Sequence, residues 1–236
     1  MLNTAKSEKI IINNFMEDME LVKNKQKVVQ VYSLEQVERL FSKLKGHPIE
    51  LGVKLALYLG LRRGEVNGLK WENIDLENHI IYVKETRTSA GREVYVDGPK
   101  TESSERKLCY AGELIGMLEA ARNKYDEGRL KCGINYNNGG NVICKDNGEL
   151  YNVDYFSNEF KRFLKKRGLP HMKFHGHGHT CATTANQTGM TIFDISQMLG
   201  HSSANTISKV YVHHLDKGNS KVTGAVANAI NNQIGK

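Results

Sequence analysis

The chain has 236 residues, 39% of them hydrophobic and 25% charged. That is ordinary globular composition; it excludes wholesale disorder and suits one large domain or two small ones. Thirty-three Lys and Arg stand against 26 Asp and Glu, a net charge of +7, which favours a polyanionic partner, while the dispersal of both signs excludes a histone-like tail. Cys109, Cys132, Cys144 and Cys181 form no CxxC pair, which disfavours a zinc ribbon or disulfide scaffold and fits free thiols in a reducing cytoplasm. No apolar run reaches the length of a membrane span or a signal-peptide core.

Residues 1–28 mix Lys, Glu and Asn with scattered apolar positions and end in Lys23-Asn24-Lys25-Gln26-Lys27, the composition of a solvated linker. From Ser33 the pattern sharpens. Ser33 and Gln36 make a capping box, Leu34, Val37, Leu40, Phe41 and Leu44 follow at helical spacing, and Gly46 and Pro48 stop the helix. A second helix over 48–59 is apolar on most faces and therefore buried; a short one begins at Glu65. Between 79 and 110 the period changes. Segments 79–84, 93–97 and 106–109 have strand composition, with 89–91 and 99–104 as turns, which predicts a small three-stranded antiparallel sheet. Helix returns over 112–126, and the Gly- and Asn-rich stretch 132–150 reads as loop with one short strand near 142–144. Asp154 is placed to cap a helix bearing Phe156, Phe160, Phe163 and Leu164, closed by Gly168 and Pro170; Thr191 and Asp194 cap another, closed by Gly200. Residues 203–211 read as helix. In the tail, Val222, Val226, Ile230 and Ile234 recur every fourth position, one narrow apolar stripe on a polar helix. The expected fold class is α+β, mostly α-helical.

Four places carry candidate chemistry. Arg62, in GLRRGE, sits at a Gly-bounded helix junction, where its planar fork can hold a phosphate or simply pair with Glu65. Lys100 lies in a turn between two predicted strands, solvated or reaching into a cleft as a proton donor. His175, His177 and His179 alternate with glycines. On a strand they would share one face as metal ligands, but no Asp or Glu lies within ten residues on either side, so phosphate donation or acid–base work suits them better. His201 directly follows Gly200, and Tyr211 lies ten residues on. A tyrosine is a nucleophile only where positive groups help it lose a proton held with a pKa near 10; otherwise it packs its helix.

Taken in order, Gly-x-Arg-x-x-Glu, a hairpin Lys, a His-rich helix start, Leu-Gly-His and a Tyr ten residues later resemble the tyrosine recombinase (phage integrase) family. The resemblance runs over about residues 29–215 and includes Trp71-Glu72-Asn73-Ile74-Asp75 and Lys100-Thr101 with Ser103, Ser104 and Arg106. Integrases of Gram-positive phages and conjugative transposons look closest. The resemblance implies the tyrosine recombinase catalytic-domain fold over 29–236, preceded in 1–28 by a linker and the end of a core-binding domain absent from this chain. It implies a cytoplasmic bacterial enzyme acting on double-stranded DNA, with no cofactor, metal, membrane or small-molecule substrate. It further implies assembly as a tetramer on DNA through a C-terminal helix at about 220–236. By the same resemblance Arg62 is the first phosphate-binding arginine, Lys100 protonates the leaving 5′-oxygen, His175 opens the His-x-x-Arg box, His201 is the later histidine and Tyr211 is the nucleophile.

One position departs from the family pattern. The segment reads His175-Gly176-His177-Gly178-His179-Thr180, so Gly178 stands where the second arginine is expected. Two expectations follow: either strand cleavage is impaired and the chain is a DNA-binding member of the same fold, or His177 or His179 supplies the missing donor.

Overall fold

The computed structural model describes residues 2–14, 30–90, 93–98, 105–137 and 139–200. A short helix α1 (Leu2–Ser7) precedes the main body. Helix α2 (Leu34–Leu44) opens on the predicted capping box: Ser33 Oγ accepts from the Gln36 amide at 3.2 Å and Gln36 Oε1 accepts from the Ser33 amide at 2.9 Å. Its inward residues Leu40 and Leu44 are wholly buried. Helix α3 (Glu50–Leu59) is the central element, with Val53, Leu55, Ala56, Leu57 and Leu59 all buried. Gly52 lets α3 approach its neighbour closely, since a Cβ there would lie 2.3 Å from the Phe156 ring. Lys54, the one charge in this apolar run, is also buried. Its Nζ reaches Glu50 at 2.9 Å and Glu113 at 2.6 Å, and Tyr58 donates to the same Glu113 carboxylate, so the ammonium is compensated where it is desolvated.

After α4 (Arg63–Gly68) the chain enters five short strands: β1 (Ile74–Asp75), β2 (Ile80–Val83), β3 (Thr86–Ala90), β4 (Glu93–Asp97) and β5 (Arg106–Cys109). A three-stranded antiparallel sheet is present, but its order is β1-β2-β5, in the register Ile74↔Ile81 and Ile81↔Leu108. Segment 93–97 belongs instead to a separate two-stranded hairpin with β3, running Thr86↔Asp97 to Ala90↔Glu93. Sequence composition misplaced it because Ser89 and Ala90 look like turn residues, whereas they continue a strand whose Thr86 and Thr88 face Gly64 of α4. The absence of a Cβ at Gly64 and Gly68 brings α4 onto this hairpin: added Cβ atoms would meet Thr86 at 2.5 Å and the Glu85 carbonyl at 3.0 Å.

Helix α5 (Glu113–Cys132) runs about a turn and a half beyond the expected end. In the Gly/Asn-rich stretch a 3-10 turn (Gly133–Asn135) is followed, among the described residues, by the isolated bridges Lys70↔Asn141 and Cys144↔Leu150 in place of the expected short strand. Helix α6 (Tyr155–Arg167) buries Phe156, Phe160, Phe163 and Leu164 as its spacing requires. Asp154 stands at its cap position but does not cap it; its carboxylate is drawn away by Arg63 Nη1 at 2.5 Å. Helices α7 (Gly176–Gln187) and α8 (Ile192–Leu199) complete the described chain, and Thr191 Oγ1 caps α8 by accepting from the Asp194 amide. One continuous core joins α2–α6 and the sheet, and a small satellite core of Ala182, Ile195 and Leu199 joins α7 to α8. All four cysteines are free. Among the described residues no helix is long and apolar enough to cross a membrane.

Candidate active site

Helix α3 ends at Gly60 in the left-handed conformation, φ +66°. The lack of a side chain there matters twice, because a Cβ would sit 2.1 Å from Leu199 of α8 and 3.7 Å from Cys181 of α7. The α3–α4 junction is therefore where α7 and α8 close on the body, and Arg62 is the first residue to emerge from it. Its side chain is 40% exposed. Nη1 lies 3.2 Å from Glu65 Oε1 and Nη2 donates to the Gly200 carbonyl at 3.0 Å.

Glu65 is the hub. It is 3% exposed and accepts four hydrogen bonds: the Arg62 amide at 2.8 Å, Arg62 Nη1, and both Nη atoms of Arg106 at 2.9 and 2.8 Å. Burial alone would push its carboxyl up, but the two guanidiniums outweigh burial and hold it below the ordinary carboxylate range. The pairing of Arg62 with Glu65 thus occurs, yet it does not neutralise the site. Two guanidiniums share one carboxylate, and the cluster stays net positive with Arg62 as its exposed edge.

The histidine run lies at the start of α7, not on a strand, so its three rings do not share one face. His175 precedes the helix and is exposed; His179, one turn on, places its ring 5.1 Å from that of His175 at 84°. His177 points the other way. It is wholly buried, its centroid 4.6 Å from both Phe160 and Phe174. It therefore cannot supply the donor missing at Gly178, which corrects one of the two histidine alternatives. Among the described residues no three His, Cys, Asp or Glu side chains gather as a metal site would need. At Gly178 a Cβ would meet nothing within 4 Å. Lys100, His201 and Tyr211 lie outside the described residues. For two of them the flanking chain is described: β4 and β5 flank the Lys100 segment, and the Gly200 carbonyl held by Arg62 is one bond from His201.

Neither ring nitrogen of His177 makes a well-formed hydrogen bond; the Phe174 backbone offers only a weak one, which burial outweighs. Burial lowers its pKa to about 3, so it is a neutral polar ring in an apolar slot. His177→Leu is expected to stabilise the fold by about 1–3 kcal/mol, the desolvation cost of the unpaired atoms. That is roughly 2–4 °C in Tm per kcal/mol at this size. The gain should depend on pH. The folded value lies below the unfolded 6.5, so above that pH the gain is constant. As pH falls from 6.5 toward 3 the unfolded chain alone takes up the proton, the histidine form loses stability by up to about 1.4 kcal/mol per unit, and the gain from leucine grows by the same amount. Melts at pH 7.5 and 5 check this; a variant less stable at both values would mean that His177 makes a stabilising contact.

Two further surfaces stand out. Between Glu159 and Asp194 the sequence has six Lys and Arg and no Asp or Glu. Lys161, Arg162, Lys165, Lys166, Arg167 and Lys173 are all exposed, leading along α6 to His175. On the α2–α3–α7 side lies an apolar groove of about 620 Å³ lined by Leu34, Val37, Phe41, Tyr58, Cys181 and Met190, among others.

Residues 30–217 match the model of the phage integrase family. The chain belongs to the phage integrase family. A relative from Caldanaerobacter subterraneus subsp. tengcongensis, described as tyrosine recombinase XerC-like, is 30% identical over 80% of this chain and 51% of its own length. The ICEBs1 integrase of Bacillus subtilis is 25% identical over 90% of this chain and 58% of its own. The chain thus spans about half the length of these curated relatives. The structure of a Tn1549 transposon integrase in complex with transposon right end DNA superposes with a TM-score of 0.73 at 23% identity, covering 89% of this chain and 70% of that one. The fold is therefore that of tyrosine recombinase catalytic domains. Sequence reasoning singled out Arg62 and His175, which the structure places at the α3–α4 junction and ahead of α7, but did not foresee the double pairing of Glu65. The signal was available: Arg106 lies two residues before the buried Leu108 on β5 and so shares its inward face, where a guanidinium needs a partner.

Proposed function

We propose that this integrase-family chain is the catalytic domain of a site-specific DNA recombinase that integrates or excises a mobile element. In this reading residues 1–28 are a linker and the end of a core-binding domain. The observation that carries the reading is the Arg62–Glu65–Arg106 cluster, a buried charge relay whose net positive, exposed edge emerges where α3, α7 and α8 meet. Such a preorganised cation is what a phosphodiester under attack requires, because the transition state gathers negative charge. The exposed basic residues of the second half of α6 and the segment after it, Lys161, Lys165, Lys166, Arg167 and Lys173, support backbone binding of double-stranded DNA.

In the proposed reaction the Tyr211 oxygen forms a bond to phosphorus as the bond from phosphorus to the 5′-oxygen breaks. Lys100 delivers a proton to that oxygen, and the tyrosyl proton leaves with assistance from His175. Arg62 and His201 bind the non-bridging oxygens. The 3′-phosphotyrosine linkage conserves the phosphodiester, so a 5′-hydroxyl from a second duplex reverses the step and exchanges strands. The compartment that fits is the bacterial cytoplasm.

The test is incubation with a nicked recombination-site duplex followed by denaturing gel analysis. A covalent protein–DNA band is expected; its absence from both the unmodified chain and Gly178→Arg would overturn the reading. A second reading, a DNA-binding member with impaired cleavage, is favoured by Gly178 itself. It is distinguished by salt-sensitive binding without an adduct in the unmodified chain.

Strand exchange brings protomers together on DNA, as a tetramer. The tail stripe Val222, Val226, Ile230 and Ile234 suits a neighbouring protomer's apolar groove between α2, α3 and α7, a helix-in-groove contact. Deleting residues 222–236 is expected to impair synapsis more than single-site binding, as read by mobility shift. If the truncated chain instead loses its cooperative melt, the tail packs on its own domain.

A further inference from the structure

We infer that Arg106 is a positioning residue for the phosphate-binding arginine: it keeps Arg62 both oriented and electrically available. The inference rests on the recombinase reading but concerns a residue to which that reading gives no role. The Arg106 side chain is 6% exposed and faces inward from β5. Its guanidinium is spent on two partners. Nη1 and Nη2 form a bidentate pair with Glu65, and Nε donates to the Met198 carbonyl at 2.8 Å. A single planar group thus joins three segments: the start of α4, which carries Arg62; the strand that begins just after the Lys100 segment; and the end of α8, which leads into His201. The fit is close. A Cβ at Gly200 would lie 3.0 Å from Arg106 Nη1, and Gly200 takes φ +62°, so both space and backbone conformation favour glycine there.

The electrostatics give this geometry its purpose. Glu65 holds the Arg62 side chain in place, but a buried carboxylate paired with Arg62 alone would cancel the charge a phosphate must see. Arg106 supplies the second positive charge, so Glu65 orients Arg62 without neutralising it. Shape matters as well as charge, because only a forked guanidinium satisfies both carboxylate oxygens and a carbonyl at once.

The test uses Arg106→Gln, which keeps hydrogen-bonding capacity without charge, and Arg106→Lys, which keeps charge without the fork. Because Arg106→Gln leaves a buried carboxylate half-compensated, the neutral double variant Glu65→Gln/Arg106→Gln accompanies it as a form that retains packing. In single-turnover adduct formation, Arg106→Gln and the double variant should be slower by on the order of tenfold to a hundredfold, the cost of a small misplacement of a reacting group. Arg106→Lys should recover part of the rate, and DNA affinity should stay within about threefold, since many phosphate contacts remain. In an Arg62→Ala background, Arg106→Gln should cost almost nothing more, because residues acting as a unit are not additive. Independently of activity, the Arg62 side-chain N–H resonances in NMR should broaden in Arg106→Gln and stay sharp in a Lys107→Gln control. Additive losses, a rate per folded molecule equal to that of the unmodified chain, or unaltered Arg62 resonances would each overturn the inference. If no variant, Gly178→Arg included, forms an adduct, the recombinase reading fails, and the Arg62 resonances alone decide the positioning role.

Discussion

Tyr211→Phe is expected to abolish the covalent protein–DNA band on a denaturing gel while leaving DNA affinity within about twofold. The two readouts separate because they draw on different physics. Affinity is a sum over many phosphate contacts, of which the basic face of α6 supplies several candidates: Lys161, Arg162, Lys165, Lys166 and Arg167 are all exposed. One hydroxyl adds little to such a sum. Adduct formation needs the one oxygen that attacks phosphorus, and phenylalanine has none. A tyrosine with an ordinary pKa near 10 is a poor nucleophile at neutral pH, so the step depends on cations fixed before the reaction begins. The Arg62 guanidinium is held in that way by Glu65 and by the Gly200 carbonyl. An adduct of normal yield in Tyr211→Phe would move the nucleophile elsewhere and sink the assignment.

The parts of the fold that were legible in the sequence are those set by local rules. The Ser33–Gln36 capping box, the phenylalanine stripe of α6, the Thr191–Asp194 cap and the stops at Gly60, Gly168 and Gly200 each depend on residues within one or two turns. Strand partnership was less legible. Segments 80–83 and 106–109 pair as expected, but 93–97 takes β3 as its partner and the two-residue β1 completes the sheet. Pairing is decided by contacts distant in sequence, here by the glycine face of α4 receiving Thr86 and Thr88. The site divides along the same line. Arg62 and its pairing with Glu65 were legible because the motif is local. The role of Arg106 was not, because its partners Glu65 and Met198 lie 41 and 92 residues away. The histidine run was ambiguous for a different reason. Its alternation with glycine reads as a strand, whereas α7 turns His177 into the Phe160–Phe174 slot and leaves His175 outside.

Gly178→Arg is expected to raise the rate of covalent adduct formation by at least about tenfold, with little change in DNA affinity. The position is on the first turn of α7, three residues after His175, and a Cβ there meets nothing within 4 Å, so the start of a longer side chain is accommodated without displacing the core. Two backbone-level effects oppose each other. Replacing a helical glycine with arginine favours the helix by up to about 1 kcal/mol. Placing a cation near a helix N-terminus costs about 0.3–1 kcal/mol. They nearly cancel, so the fold should be as stable as before and any gain in rate should come from the site. Losing one donor aimed at a transition-state oxyanion costs roughly 10²–10³ in rate, and a bidentate guanidinium restores two. The tenfold figure is the conservative end, because an arginine added to an established site lacks neighbours selected to orient it. If the unmodified chain already cleaves well and the substitution leaves its rate unchanged, a histidine has taken over the role. His177 is excluded by its burial, with both ring nitrogens turned away from solvent and flanked by phenylalanines. His179, on the partly exposed side of α7 with its ring against that of His175, is then the donor, and His179→Ala rather than His177→Ala is the variant that stops cleavage.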